Sequence, residues 1–256
     1  MKPLCVVFAV LSLIFVSANM YTQSSSGLSL EQIVYADDNH EKNFEKFLSN
    51  WEKEYVPKDV SHENDTVKAV YALYQMLFTP FDLGDKASFD GGADINSGYR
   101  NVIVPGSFGY YVTPSGTWDY KAHPWQAVSD FRPKLDLGHK ARILYLTAKY
   151  DTMLNKFLGG ESTEFGTPNI MSPARAKGQS AERETFVKKY LPIVHGHWGA
   201  YWHIATMPSM TFVFNPTFDK VEVKFRVVYG GRIYHYEKKD GKWQQVKDKY
   251  IEDWVE

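Results

Sequence analysis

The first strongly periodic segment of the chain predicts an amphipathic helix from His40 to Tyr55. Its large apolar residues recur at spacings of three and four, so they share one helical face with Trp51 at its centre. Asp38, followed three residues later by Glu41, is expected to cap the first turn, and a proline shortly after Tyr55 ends the helix. We therefore expect Trp51 to be a core residue.

Three later segments also show helical spacing. They span about residues 66–78, 150–158 and 180–191. Asn64 or Asp65 is expected to cap the first of them, because their side-chain oxygens accept hydrogen bonds from free backbone N–H groups. The second follows a strand predicted at residues 141–146 and ends at the glycine pair 159–160, a common way for a helix to stop.

Apolar and polar residues alternate from Val221 to Tyr229, which predicts a β-strand with two different faces. Glu222, Lys224 and Arg226 fall on the polar face. We interpret Arg226 either as an exposed sheet residue or as a pocket residue whose guanidinium holds an anion. Shorter strands are predicted at residues 101–104 and 108–113.

Two turn signals follow this strand and predict a β-meander. Gly230-Gly231 is expected to form a two-residue hairpin turn, because glycine readily adopts positive φ, and Asp240-Gly241 is expected to form a second. Helices therefore precede a mostly antiparallel, curved sheet, which predicts an α+β fold. We expect one α+β domain over residues 40–256, with long loop insertions, after a linker at residues 19–39.

The stretch HGHWGAYWH (His195–His203) concentrates histidine and aromatic residues. Taken as one strand that continues to Met207, it would carry its three histidines and Tyr201 on one face and its two tryptophans on the other. We expect the histidine face to border a ligand-binding cleft between the helices and the sheet. The predicted pocket residues are His197, Tyr201, His203 and Arg226.

A metal site is the alternative interpretation of these histidines. His195 and His197 would lie ~7 Å apart and could share one metal, whereas His203 would lie roughly 20 Å from His197 along an unbroken strand. A zinc site would then need a ligand from another segment; the candidates are His123, His139, His235, Asp119 and Asp136. The sequence selects none of them, so neither a metal nor a cofactor is predicted. Another acidic stretch resembles the start of a calcium loop but lacks the closing acidic residue; its residues are Asp90, Asp94 and Asn96.

Composition narrows the classes of partner. The net charge of −1 leaves no basic excess for nucleic acid, which is therefore not an expected partner. Aromatic residues make up 16% of the chain, a content that suits either a β-rich core or an aromatic-lined cleft for a small molecule or glycan. A glycan-binding protein would expose Trp118 or Trp125 in a shallow groove.

The N-terminus has the pattern of a signal peptide over residues 1–18. Lys2 precedes a short apolar run, and Ala18 offers a small residue at the cleavage position. Cleavage there would remove Cys5, the only cysteine. No later apolar stretch approaches membrane length, so a secreted or periplasmic protein without a membrane span is expected. Asn64 also begins a glycosylation sequon, which matters only in a glycosylating host.

The C-terminal segment FRVVYGGRIYHYEKKDGKWQQVKDKYIEDW (Phe225–Trp254) resembles the closing meander of the nuclear-transport-factor-like cone fold. That superfamily includes ketosteroid isomerase and polyketide cyclases, which implies a cone-like sheet with helices packed on it. The extra length would be inserted around residues 81–134 and 161–178. The whole pattern also resembles exported proteins of Bacteroidota. No catalytic residue of these families is carried over to this chain.

Taken together, these features predict an exported domain that binds a small molecule or glycan in a cleft. One alternative is a hydrolase or lyase that uses a His/Asp or His/Tyr constellation in the same cleft. Another is a structural or protein-interaction domain whose aromatic residues all belong to the core. The sequence leaves open whether the protein is an enzyme, because it lacks the nucleophile-elbow and phosphate-loop motifs that would identify one.

Overall fold

The structure is a computed structural model that describes residues 28–78, 100–117, 123–137, 141–159, 179–195, 202–204, 209–227, 230–246 and 251–255. Its helices are α1 (Leu30–Val34), α2 (His40–Glu54), α3 (Asp65–Phe78), α4 (Ala148–Phe157) and α5 (Gln179–Lys188). Its strands are β1 (Asn101–Pro105), β2 (Phe108–Val112), β3 (Gln126–Val128), β4 (Arg142–Leu146), β5 (Ile193–His195), β6 (Trp202–Ile204), β7 (Ser209–Phe214), β8 (Lys220–Val227), β9 (Gly230–Lys239), β10 (Lys242–Gln245) and β11 (Ile251–Val255).

Helix α2 confirms the first predicted helix, and its apolar face is buried as expected. Trp51 is 0% exposed, and its indole N–H donates a hydrogen bond to the carbonyl of Tyr145 in β4 over 2.9 Å. The predicted cap is wrong, because Asn39 occupies the N-cap position and makes no side-chain cap bond. The helix is therefore held by the packing of its apolar face rather than by its first turn.

Helix α3 begins as predicted at an asparagine cap. The side-chain Oδ1 of Asn64 accepts a hydrogen bond from the backbone N–H of Val67 over 2.9 Å, and its carbonyl accepts one from the N–H of Lys68 over 3.1 Å. The side chain thus pairs a backbone donor that the helix itself leaves without a partner. Of the two caps considered from the sequence, Asn64 is confirmed.

Replacing this cap gives a direct test. Asn64→Ala is expected to lower the free energy of unfolding by about 1 kcal/mol, the usual cost of removing a side-chain cap. Asn39→Ala is the matched control, because the Asn39 side chain caps nothing in α2. Denaturant titration of both variants measures the difference. Equal losses would show that the Asn64 bond does not stabilise the helix.

A parallel strand pair, β1 with β4, separates two hydrophobic cores. Val104 and Tyr145 face the first core, which contains α3 and the inner side chains of the larger sheet. Ile103 and Leu144, directly opposite each other in the pair, face the second core, which contains α1, α2, α4 and α5. The alternation along each strand therefore supplies apolar side chains to both cores.

The larger sheet has seven strands in the order β10-β9-β8-β7-β2-β3, with β11 also paired to β9. The β2–β7 pair is parallel and the other pairs in this sheet are antiparallel. Helices combined with a mixed, mostly antiparallel sheet confirm the predicted α+β fold. The cone-like shape stays a prediction.

The predicted meander is confirmed in β8, β9 and β10, but one of its two turns is misplaced. Asp240 and Gly241 form the β9–β10 turn with φ values of 51° and 75°, as the sequence indicates. Gly230 and Gly231, by contrast, are already paired with β8, opposite Val227 and Arg226. The prediction of a Gly-Gly turn is therefore wrong: the two glycines open strand β9, and β8 ends at Val227.

Candidate functional site

The seven-stranded sheet has one face that packs in the first core with α3 and one that points away from this core. Side chains of β7 and β8 that point to the helices are large and apolar, such as Phe212, Val223 and Phe225 in the first core. Their neighbours along the strands point the other way. We call this second surface the distal face and define it by Tyr111, Thr211, Val213, Glu222, Lys224 and His235.

Four of these residues form one row across the strands. Tyr111 pairs with Val213, Val213 pairs with Glu222, and Glu222 pairs with His235. Directly paired residues have Cβ atoms about 4.5–5.5 Å apart. Because neighbouring strands lie about 4.8 Å apart, the row spans about 14 Å. An aromatic ring, a carboxylate and an imidazole are thus carried by neighbouring strands.

The middle of this row is withdrawn from solvent although it does not belong to either hydrophobic core. Val213 is 0% exposed, Glu222 5% and His235 7%. Val213 is a member of neither core cluster. Burying a carboxylate costs free energy unless it is paired. The buried position of Glu222 on a central strand therefore favours a specific role for its carboxylate over that of a solvated surface group.

Lys224 carries the charge opposite to that of Glu222. It lies two residues further along β8, on the same face of the sheet. Its Nζ lies 3.6 Å from Oε1 of Glu222, and its side chain is 20% exposed. Burial lowers the pKa of the Lys224 ammonium below its ordinary value, although the Glu222 carboxylate acts in the opposite direction. The pair therefore places a partly desolvated amine beside a buried acid.

Trp125 lies at the aromatic end of the row. Its ring packs edge-on against Tyr111, with centroids 5.3 Å apart, and the residue is 47% exposed. The indole lies across Gly109, where a Cβ atom would come within 1.7 Å of it. A side chain at position 109 would occupy the space of the ring, so the glycine lets Trp125 lie flat on β2.

The histidine-rich stretch is not the single strand that the sequence predicted. Strands β5 and β6 pair antiparallel, with His195 opposite Trp202 and His203 opposite Val194. The chain therefore reverses direction between His195 and Trp202. Alternation along one strand therefore no longer relates His195 to Trp202, and the prediction of one continuous strand is wrong.

Two of the four predicted pocket residues lie in the described part of the structure, in different sheets. His203 belongs to the β5–β6 pair, while Arg226 belongs to β8, opposite Ser209 and Gly231. The remaining predicted pocket residues, His197 and Tyr201, lie outside the described residues.

Metal binding finds no support in the described ranges. They contain no group of three or more His, Cys, Asp or Glu side chains placed to hold an ion. Three candidate third ligands fall in these ranges, namely His123, Asp136 and His235. The other two and the calcium-like stretch lie outside them; these residues are His139, Asp119, Asp90, Asp94 and Asn96. The metal alternative at His195 and His197 stays a prediction.

Comparison with known proteins adds no relationship. No protein-family model, curated protein sequence or solved structure matches the chain. Within the residues that the structure describes, no helix combines the length and apolar character needed to cross a membrane. The distal face is therefore interpreted from its own chemistry.

Proposed function

We propose that this chain binds a small polar molecule or glycan on the distal face of the seven-stranded sheet. The main support is the row in which an exposed indole and a tyrosine ring continue into a buried carboxylate and imidazole. Ligand sites commonly combine aromatic walls with a few polar groups that orient the ligand. The row offers both within about 14 Å.

Each part of the row has a distinct task in this proposal. Trp125 and Tyr111 contact the apolar face of a sugar ring or another flat molecule. Glu222 accepts hydrogen bonds from ligand hydroxyl groups, and Lys224 donates them. His235, opposite Glu222, orients the carboxylate or contacts the ligand at the far end of the row.

The location on the distal face differs from the cleft expected from the sequence. Between α3 and the sheet, the described residues form a tightly packed aromatic core. The ring centroid of Phe108 lies 4.5 Å from that of Phe212 and 5.1 Å from that of Phe131. This part of the helix–sheet interface is filled, whereas the distal face presents the polar groups that a ligand needs.

A panel of immobilised neutral and acidic oligosaccharides tests the proposal. Trp125→Ala is expected to weaken wild-type binding by about tenfold or more, the loss typical of a central aromatic contact. Tyr35→Ala is the matched control, because Tyr35 is a similarly exposed aromatic residue, 43% exposed, that packs against α4 rather than the sheet. Unchanged binding by Trp125→Ala, or equal losses in both variants, would refute this location.

A hydrolase or lyase on the same face is the second candidate function. Its support is the direct pairing of Glu222 with His235, since a carboxylate beside an imidazole is a common arrangement for general acid–base catalysis. An enzyme would convert a ligand of the panel, and Glu222→Gln would abolish turnover while the ligand still binds. Binding without conversion supports the first candidate.

We further propose that the chain is exported and related to the nuclear-transport-factor-like cone fold. The support is the N-terminal charged residue, apolar run and small residue, together with the confirmed meander in β8–β10.

The mature protein is expected to begin near Asn19. N-terminal sequencing of material recovered from outside the cytoplasm measures this directly. A cytoplasmic product that retains Met1 would contradict export.

A further inference from the structure

We propose that Lys224 is a nucleophilic amine that condenses with an aldehyde or ketone carbonyl of the ligand to form an imine. This inference rests on the proposed function, because it places the reactive group within the same binding face. It adds a substrate class, namely carbonyl compounds such as the open-chain form of a reducing sugar or a 2-oxo acid.

The first support is the position of the amine. Lys224 lies in β8, flanked by β7 and β9, where it pairs directly with Thr211 and Ile233. Its side chain is 20% exposed, so the amine is reachable but partly shielded from water. Lysine nucleophiles are typically activated by such partial desolvation, because the neutral amine is the form that attacks a carbonyl.

The second support is the neighbouring acid. The Glu222 carboxylate, whose side chain is 6% exposed, lies 3.6 Å from the Lys224 Nζ. Imine formation needs a group that takes a proton from the attacking amine and returns one to the departing oxygen. Burial also lowers the pKa of Lys224, which increases its neutral fraction.

The condensation balances without any further reactant. Nζ forms a bond to the carbonyl carbon, and the carbonyl oxygen accepts protons and leaves as water. Both hydrogens of that water come from the neutral amine, with Glu222 relaying them. The product is a C=N bond, and nothing is oxidised or reduced.

Lys220 provides an internal control in the same strand and on the same face. It also faces a glutamate, with its Nζ 3.8 Å from Oε1 of Glu237, but its side chain is 58% exposed. Lys220 and Lys224 therefore share a strand, a sheet face and a nearby glutamate, from β9 for Lys220 and from β8 itself for Lys224, while the side chain of Lys224 is the more shielded. A difference in reactivity between the two lysines therefore reflects the environment of each amine, because both lysines lie in the same strand.

The test treats the wild-type protein at neutral pH with sodium cyanoborohydride and a carbonyl probe. Glyceraldehyde in one arm and pyruvate in the other distinguish an aldose from a 2-oxo acid. Peptide mass spectrometry follows the reduced adduct on each lysine with time. Lys224 is expected to react at least about tenfold faster than Lys220 in one of the arms, as befits an activated amine. Lys224→Arg confirms the assignment by removing that adduct.

Equal or slower labelling of Lys224 than of Lys220 in both arms overturns the imine. This result is separate from the oligosaccharide test. Binding that depends on Trp125 without fast labelling of Lys224 keeps the proposed function and rejects the imine. Fast labelling without such binding rejects the oligosaccharide ligand and keeps the reactive amine.

Discussion

Trp51→Ala is expected to lower the free energy of unfolding by about 3–5 kcal/mol, as for other large aromatic residues removed from a core. The indole is 0% exposed and stacks on Tyr150 with centroids 4.3 Å apart and planes 9° from parallel. Truncation leaves a cavity in the second core and removes one of the two hydrogen bonds that the Tyr145 carbonyl accepts, the other coming from the Thr147 N–H. Denaturant titration monitored by circular dichroism measures the loss.

Trp125→Ala is the matched control for this measurement, because Trp125 is 47% exposed and belongs to neither core. We expect it to change stability by less than about 1 kcal/mol, as substitutions at exposed positions usually do. A loss below about 1 kcal/mol for Trp51→Ala would contradict the assignment of α2 to the core.

Gly109→Ala is expected to weaken ligand binding as much as Trp125→Ala does. An added Cβ would lie 1.7 Å from the Trp125 ring, so the indole has to leave its place on β2. Because the ring is partly exposed, it can move into solvent, and the cost in folding stability should stay small. The measurement is binding to the oligosaccharide panel together with a denaturant titration of the same variant.

The double variant separates this explanation from a general disturbance of β2. If the added methyl group acts by displacing the ring, Gly109→Ala should have no further effect on binding once Trp125 is already alanine. Additive losses in the double variant, or normal binding by Gly109→Ala alone, would show that the Trp125 ring is not positioned by the glycine.

The helices and the meander could be predicted because their signals are local. The spacing of apolar residues in α2 and the alternation in β8 each express one periodicity within one element. The Asp240-Gly241 turn is also local, since its backbone requires two consecutive positive φ values. These features depend on neighbours in the chain and so are visible in a single sequence.

Two of the errors concern places where the chain reverses. Gly230-Gly231 satisfies the same rule as Asp240-Gly241, but both glycines are paired with β8 as part of strand β9. In the histidine-rich stretch, residue types alternate as in a strand even though His195 and Trp202 lie opposite each other in two strands. Alternation does not record where a strand ends, so periodicity alone could not locate either reversal.

The candidate site depends on register between strands, which the sequence does not contain. The sequence placed Glu222 and Lys224 on the polar face of β8, and this assignment holds. Their burial, the pairing of Glu222 with His235 and the position of Trp125 beside Tyr111 arise only when β2, β7, β8 and β9 come together. A buried acid on a central strand is therefore the feature that sequence reasoning missed.

Fluorine NMR of protein labelled with 5-fluorotryptophan tests most directly whether ligands bind to the distal face. Trp125 lies on that face, whereas Trp243 is 8% exposed in the first core, against the opposite face of the same sheet. Each resonance is assigned by replacing that tryptophan with phenylalanine, and the tightest-binding oligosaccharide of the panel is the ligand. We expect saturating ligand to shift the Trp125 resonance and leave that of Trp243 unchanged. A shift of Trp243 with Trp125 unmoved would place the ligand between the helices and the sheet and contradict the distal-face site.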